Sequence, residues 1–199
     1  MLKQSKITKY NNLTPKSRKG NRIMNEKIIL KNVFYTVDGD SVLVTTPYHS
    51  PFIKDARNLG GQWNANKHVW VFPSFLKINV EKLLIKHYGE TGVEPTKPYL
   101  IKAKEYIFVS RGPIRCGRKA ICKARSRDSG AETCKGVYLL EGKIDSGGSA
   151  KYWTTDCNVN TLFRTDFTEL QAQLAEKSEK WSIAEIIDDN QQVDKDTTE

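Results

Sequence analysis

The sequence predicts an α+β protein: a small antiparallel sheet with two helices, followed by a small all-β barrel-like domain and a C-terminal helix. Three features of the 199-residue chain predict this class. β-Branched and aromatic runs alternate with two helical apolar patterns in the first 90 residues. The segment ETGVEPTKP has two prolines and no apolar period, which is typical of a linker. After it, short β-like runs are separated by turn signals, as in small barrels and sandwiches.

The charge of the chain is unevenly distributed, and its formal net charge is +9. The predicted parts are a disordered basic arm, an α+β module, a linker, a β-rich basic domain with a C-terminal helix, and an acidic disordered tail, at residues 1–23, 24–90, 91–98, 99–184 and 185–199. The arm has seven Lys and Arg and no acid, whereas the tail has six acids and one Lys. Such single-sign ends are commonly solvated and disordered.

The α+β module begins with a β-hairpin, because the runs KIILKNVFYTV and SVLVTTPY are separated by the turn signal DGD. We expect Ser50 to cap the first helix, with Pro51 in the first turn, where its missing N–H is tolerated. Gly60 ends this helix. The predicted buried face consists of Phe52, Ala56 and Leu59.

A second hairpin and a second helix complete the module. The strands GQWN and HVWVFP flank a turn at residues 64–67. Pro73 ends the second strand, and Ser74 caps a helix that closes at Tyr88 and Gly89. The apolar stripe of this helix consists of Leu76, Val80, Leu83 and Leu84.

The two tryptophans of the second hairpin have different surroundings. Trp70 has apolar neighbours along its strand, and we predict that it packs in the core. Trp63 lies on a short edge between Gln62 and Asn64. Core packing is the commoner role for such a ring, and presentation to a binding partner is the alternative.

The first helix and second hairpin carry a family resemblance. The matching residues are Phe52, Ala56, Arg57, Leu59, Gly60, Gly61, Trp63, Asn64, Lys67, Trp70 and Pro73. They resemble a small module of unknown function in plasmid and phage primase-type and antirestriction proteins and, more loosely, the HARP domain of annealing helicases. Asn64 replaces the usual Asp, which preserves the turn and removes a charge. The resemblance covers about 40 of the 199 residues. It implies contact with DNA, in the HARP case at junctions between single and double strands, and it implies no catalytic residue.

The chemistry of this stretch agrees with that implication. Arg57, Lys67 and His68 lie near Trp63 at the helix end and the hairpin tip. Cationic side chains bind phosphates, and an aromatic ring can stack on an unpaired base. The candidate nucleic-acid-binding residues here are therefore Arg57, Trp63, Lys67 and His68. The alternative is a solvated helix face beside a structural hairpin.

The segment RGPIRCGRKAICKARSR, residues 111–127, carries seven Lys and Arg and no acid. A strand through it would place charge on one face, which could follow a phosphate backbone. The candidate binding residues are Arg111, Arg115, Arg118, Lys119, Lys123, Arg125 and Arg127. The alternatives are a basic, solvent-exposed hairpin and pairing of this segment with the acidic tail.

The later segments carry weaker signals. DSGGS is predicted as a tight turn between two strands. DFTELQAQLAE is predicted as a helix whose capping box is Asp166 with Glu169. Residues 126–155 resemble a segment of uncharacterised phage and plasmid proteins, which implies no activity.

The cysteines lack the spacing of a structural zinc site. Cys116, Cys122, Cys134 and Cys157 are separated by 5, 11 and 22 residues, without a tight Cys-x2–4-Cys knuckle. We predict free, mostly buried thiols, no metal and no cofactor, with zinc binding as the alternative. The carboxylates Asp128, Glu132, Glu141, Asp145 and Asp156 are scattered, and we find no catalytic constellation.

These patterns favour a non-enzymatic DNA-binding protein of a phage or mobile element. No apolar run reaches the roughly 18 residues that cross a bilayer, and the first residues lack the apolar stretch of a secretory signal. We expect a cytoplasmic protein with a nucleic-acid partner and no membrane association. The second hypothesis is a protein-binding inhibitor of a host factor, of the antirestriction type. The third is a nuclease or transferase with an unrecognised site.

Overall fold

The computed structural model describes residues 32–187. Its strands are β1 Phe34–Asp38, β2 Ser41–Thr45, β3 Gln62–Asn64, β4 Val69–Pro73, β5 Thr96–Ala103, β6 Ile107–Ser110, β7 Ile114–Cys116, β8 Lys119–Ala124, β9 Ala131–Thr133, β10 Val137–Glu141, β11 Ile144–Gly148, β12 Trp153–Cys157, β13 Leu162–Thr168 and β14 Trp181–Glu185. Its helices are α1 Ser50–Asn58, a 3-10 turn Ser74–Leu76, α2 Lys77–Tyr88 and α3 Glu169–Glu176. The predicted α+β class is confirmed. The predicted arm, residues 1–23, the first part of the predicted α+β module, residues 24–31, and residues 188–199 of the predicted tail lie outside the described residues. Glu185, where the predicted disordered tail begins, is instead the last residue of β14.

The first half forms an antiparallel sheet in the order β1-β2-β4-β3, with α1 and α2 packed against it. Both predicted hairpins are present: Asp38 pairs with Ser41, and Asn64 pairs with Val69. The core of this half includes Val42, Val44, Phe52, Ala56, Trp70, Phe72, Val80 and Leu84. The predicted helix faces and the predicted core position of Trp70 are therefore confirmed.

Gly61 allows the end of α1 to pack closely against β4. A Cβ atom at this position would collide with the Phe72 ring and lie 2.9 Å from the carbonyl oxygen of Ala56. Both neighbours belong to the buried core and have little room to move. Glycine is therefore required here by packing.

The two predicted N-caps differ from the structure. α1 begins at Ser50, so His49 occupies the N-cap position, and the His49 carbonyl accepts the first helical hydrogen bond from the Ile53 N–H at 3.0 Å. Ser74 opens the 3-10 turn before α2, and its N–H donates to the carbonyl of Asp40 at 2.8 Å. Neither predicted serine provides a side-chain cap.

The second half contains three antiparallel sheets, in the orders β10-β13-β5-β14, β11-β12-β6 and β7-β8-β9. Within the described residues these strands do not close into a ring, so the predicted barrel is not confirmed. The sheets share a core that includes Ile101, Ile121, Phe163, Phe167 and Trp181. No helix within residues 32–187 combines the length and apolar character that a membrane crossing requires.

Two predicted connections are partly strand. β5 begins at Thr96, so the last part of the predicted linker, residues 91–98, pairs with β13. The DSGGS segment continues β11 through Gly148, and the chain turns after it at residues 149–152. In both cases pairing with a neighbouring strand overrides the local turn preference.

The predicted capping box of α3 is displaced. Asp166 lies within β13, opposite Pro98, and the strand continues to Thr168. The capping box consists of Thr168 and Gln171: the Thr168 hydroxyl accepts from the Gln171 N–H at 3.2 Å, and Gln171 Oε1 accepts from the Thr168 N–H at 3.1 Å. The prediction of a capping box at the start of this helix is confirmed, whereas the predicted pair, Asp166 with Glu169, is wrong.

Hydrogen bonds at the C-terminal end of α2 join the two halves. The last carbonyl groups of a helix generally lack N–H partners within the helix. In α2, the Ile85 carbonyl accepts one backbone bond, from the capping Gly89 N–H at 3.0 Å. Here the carbonyl oxygens of Ile85, Tyr88 and Gly89 accept from Arg118 Nη1 at 2.7 Å, Gln171 Nε2 at 2.9 Å and Thr168 Oγ1 at 3.0 Å, respectively. We call these three bonds the α2 clasp. The Arg118 cation also lies at the negative end of the helix dipole, which favours this arrangement.

Candidate nucleic-acid interface

The second hairpin presents Trp63 at one edge of the first sheet. Trp63 lies opposite Trp70, with ring centroids 5.6 Å apart. Trp70 is 5% exposed, whereas Trp63 is 47% exposed. The His68 ring lies on another side of Trp63, with centroids 6.3 Å apart. Trp63 is therefore held by two rings while much of its surface faces solvent. We call Trp63, Lys67 and His68 of this hairpin, together with the candidate Arg57 in the last turn of α1, the Trp63 edge.

The turn after Trp63 is held by the Asn64 side chain. Oδ1 of Asn64 accepts hydrogen bonds from the N–H groups of Asn66 and Lys67, at 3.1 and 3.0 Å. The amide thus preserves the turn, as expected for this replacement of Asp. Arg57 and Lys67 are exposed, and neither forms an ion pair among the described residues. Their charges are available to a partner.

The basic segment 111–127 forms the β7–β8 hairpin, so the prediction of one strand with its charge on one face is wrong. The residues between the strands, Gly117 and Arg118, have φ angles of +54° and +71°. Both lie in the left-handed region that tight hairpin turns require. A Cβ atom at Gly117 would also collide with the carbonyl oxygen of Gln171. The turn therefore packs directly against α3.

The β7–β8 hairpin and β1 border a cleft between the two halves of the protein. The cleft has a volume of about 1490 Å³. One wall includes Phe34, Tyr35, Tyr48 and His49. The other wall includes Arg111, Arg115, Arg118, Lys119 and Lys123. We call this the basic cleft, and it brings together five of the seven candidates from residues 111–127.

Hydrogen bonds to carbonyl oxygens, rather than to carboxylates, hold the inner cations of the basic cleft. Nη1 of Arg115 donates to the carbonyl of Arg118 at 2.7 Å, and Nζ of Lys119 donates to the carbonyl of Asp166 at 2.6 Å. Burial lowers the pKa of Arg115 and of Lys119, and for Lys119 the charges of Glu90 and Asp166 offset this only in part. None of the five basic side chains forms an ion pair within the described part of the chain.

Four carboxylates also line the basic cleft: Glu90, Glu94, Glu132 and Asp166. Glu94 and Glu132 show how these carboxylates are held. Oε1 of Glu94 accepts from the Thr91 hydroxyl at 2.8 Å, and Glu132 pairs with Arg125 at 2.7 Å. With Lys135, six basic side chains line the cleft against these four acids. The lining therefore keeps a positive excess.

His49 is a cleft residue that the sequence reasoning missed. Its ring contacts His87 and Tyr88, with centroids 5.3 and 5.7 Å away, and its Nδ1 is buried without a hydrogen-bond partner. Burial, followed by the positive charges of Arg115 and His87, lowers the pKa of His49 to about 4. The ring is thus neutral at pH 7 and serves there as packing. A lone His before Ser-Pro gives no sequence signal for such a place.

The depressed pKa of His49 predicts a loss of stability in mild acid. The unfolded chain binds a proton at His49 near pH 6.5, and the folded protein does so only near pH 4. The contribution of His49 is therefore fully present above pH 6.5 and is lost as the pH falls towards 4. Each pKa unit corresponds to about 1.4 kcal/mol, and partial solvent exposure of the ring reduces this contribution. We therefore expect the free energy of unfolding to fall by about 2 kcal/mol.

Urea unfolding of the wild type and of His49→Phe at pH 7 and pH 4.5 measures this loss. Phenylalanine keeps a packed ring and cannot titrate. Between the two pH values, the free energy of unfolding should fall by about 2 kcal/mol less in the variant than in the wild type. Equal losses in the two proteins would contradict this assignment.

The remaining candidates lie outside the basic cleft. Arg125 pairs with Glu132 at 2.7 Å, and Arg127 pairs with Asp128 at 2.9 Å. Trp63 lies on β3, whereas the cleft is bordered by β1 at the opposite edge of the same sheet. Three strand spacings separate these edges, or roughly 14 Å. The structure thus divides the main candidates between two surfaces.

The four cysteines are free thiols. Cys116, Cys122 and Cys157 are buried, and Cys134 is half-buried. Burial raises the pKa of all four, which keeps them protonated and weakly nucleophilic. Among residues 32–187, no group of three or more His, Cys, Asp or Glu side chains is placed to hold a metal ion.

Comparison of the chain with protein-family models, with curated proteins and with solved structures finds no match. The resemblance carried by residues 52–73 therefore stays a prediction from sequence. The geometry of the two surfaces is the basis on which a function can be proposed.

Proposed function

We propose that the protein is a non-catalytic DNA-binding protein, of the kind that the resemblance associates with phages and mobile elements. In this proposal DNA enters the basic cleft. The observation that carries it is the convergence of five basic side chains, none paired with a carboxylate among the described residues, on a single cleft.

Phosphate groups are the ligands that such a cleft favours. Partly buried charges are screened by salt less than charges on an open surface. A bound polyanion also relieves the repulsion among neighbouring like charges. The volume of about 1490 Å³ is larger than that of most small-molecule pockets, roughly 300–1,000 Å³, which favours a polymeric ligand.

The Trp63 edge supplies a second contact in this proposal. An unpaired base stacks on the exposed surface of Trp63, and Arg57 and Lys67 bind the adjoining phosphates. Such a stacked base is worth about 1–3 kcal/mol. Because the edge lies across the first sheet from the basic cleft, the two surfaces suit different strands of a junction between single-stranded and double-stranded DNA.

Neutralising two cations on either surface is expected to flatten the salt dependence of DNA binding. For Arg111→Gln/Lys123→Gln in the cleft, we expect the slope of log affinity against log salt to fall by about two, since each cation contacts one phosphate. The same change is expected for Arg57→Gln/Lys67→Gln with forked DNA. Fluorescence anisotropy with single-stranded, duplex and forked DNA at several salt concentrations measures these slopes.

The matched control is Lys104→Gln/Lys177→Gln, which removes the same charge from exposed side chains outside both surfaces. Its slope should equal that of the wild type, and a chelator should leave every affinity unchanged. The proposal fails if the full chain binds none of the three DNAs, or if all variants share one slope. A change confined to the cleft variant would leave the Trp63 edge with a structural role.

A protein-binding inhibitor of a host factor is the second candidate, because exposed aromatic side chains lie at one sheet edge. β6 is an edge of its sheet. Phe108 on this strand and Tyr106 just before it are exposed, with ring centroids 6.1 Å apart. An exposed aromatic edge of this kind can pair with another protein. DNA binding that falls steeply with salt would favour the first candidate over this one.

A further inference from the structure

The turn between β11 and β12 places Tyr152 beside two residues that line the basic cleft, Arg111 and Trp153. Tyr152 is 53% exposed. The next residue, Trp153, lines the cleft, and so does Arg111, whose guanidinium lies 5.3 Å from the centroid of the Tyr152 ring. The ring therefore lies where a strand leaving the cleft would pass.

The backbone on both sides of Tyr152 is fixed by hydrogen bonds. The Tyr152 N–H donates to Ser149 Oγ at 3.1 Å, and the Ser149 N–H donates to the Tyr152 carbonyl at 3.1 Å. The Arg111 N–H donates to the carbonyl of Trp153 at 2.9 Å. A ring on such a base loses little conformational freedom when a ligand binds.

Two cations accompany the Tyr152 ring. Besides Arg111, the Lys151 ammonium lies 5.5 Å from the ring centroid. Both side chains are exposed, and neither forms an ion pair among the described residues. They are free to move from the ring to phosphates when a base takes their place, and an Arg plane can also cover the outer face of that base.

Tyr106 has the same exposure, 53%, in an opposite environment. It lies beside Phe108, and burial, followed by the negative charges of Asp156 and Asp145, raises its pKa. In contrast to Tyr152, no cation lies over the Tyr106 ring among the described residues. Exposure alone therefore does not distinguish Tyr152, whereas its two cations and its place at the cleft do.

We propose that Tyr152 is a base-stacking site for a single strand of nucleic acid whose phosphates continue into the basic cleft. This inference rests on the proposed function. It identifies the ligand of the cleft as single-stranded nucleic acid, whose bases are unpaired. In a duplex the base faces are covered by their neighbours, so only an unpaired strand offers a face to Tyr152 along its length.

The test compares the affinity of the protein for a single strand of twelve thymidine nucleotides with its affinity for an abasic strand of the same length and charge. Tyr152→Leu should weaken binding of the thymidine strand by about 5- to 150-fold, the range for one stacked base. It should leave binding of the abasic strand and the salt slope unchanged. Tyr152→Phe should retain the affinity for both strands, and Tyr106→Leu is the matched control and should change neither.

Loss of affinity for both strands in Tyr152→Leu, or for neither, would overturn the stacking site. If Tyr152→Leu does not fold, Tyr152→Trp gives a second measurement, read as the change in fluorescence beyond that of the wild type, which has four tryptophans of its own. This additional quenching should appear with the thymidine strand and not with the abasic strand. Additional quenching by both strands or by neither would also overturn the inference. If the wild type binds forked DNA and Tyr152→Leu binds it equally tightly, only this inference is wrong. If the wild type binds no DNA, both this inference and the proposed function are wrong.

Discussion

Replacing Trp70 with alanine is expected to lower the free energy of unfolding by about 3–5 kcal/mol. Trp70 is 5% exposed, and its ring meets Phe52 edge to face, with centroids 6.1 Å apart. Its removal leaves a cavity in a small core, where few other large side chains can fill the space. Urea unfolding followed by circular dichroism measures the loss.

Trp63→Ala is the matched control on the same hairpin. Because Trp63 is 47% exposed, its truncation should cost clearly less than that of Trp70. A Trp70→Ala protein that unfolds at the wild-type urea concentration would show that the ring does not support the core. Equal losses for the two variants would place Trp63 in the core as well, and would remove its stacking role from the proposed function.

The sequence predicts those elements whose signals are local. The DGD turn, the apolar face with Phe52 and Ala56, and the closure of α2 at Gly89 each depend on neighbours a few residues apart, and each is confirmed. The N-caps are harder to predict from sequence, for a physical reason. Asp166 and Thr168 both satisfy the residue preferences of an N-cap, and only the pairing of β13 decides which of them lies at the helix start.

The basic cleft could be predicted only in part, because its walls come from distant parts of the chain. The sequence identifies Arg118 and Lys119 as basic, but their places depend on the turn at Gly117 and Arg118 and on hydrogen bonds to the distant carbonyls of Ile85 and Asp166. His49 gives no signal at all, since its depressed pKa arises from burial and from charges far away in sequence. Tertiary contacts, rather than composition, make these residues into one site.

Replacing Gln171 with leucine is expected to lower the free energy of unfolding by about 2–4 kcal/mol, although leucine has a similar volume. Gln171 is fully buried, and its amide donates to the Tyr88 carbonyl at 2.9 Å and accepts from the Thr168 N–H at 3.1 Å. Leucine would leave both backbone groups without these partners, and each such buried group costs about 1–3 kcal/mol. Urea unfolding at pH 7 measures the change.

Gln173→Leu is the matched control on the same helix. Gln173 is exposed, and among the described residues its side chain bonds only to Glu169, at 3.1 Å, so its replacement should change stability by less than about 0.5 kcal/mol. Equal, small effects of the two variants would contradict the α2 clasp. Because the clasp fixes one half against the other, loosening it also disturbs the spacing of the two walls of the basic cleft. Gln171→Leu should therefore weaken DNA binding without removing any cation, whereas Gln173→Leu should not.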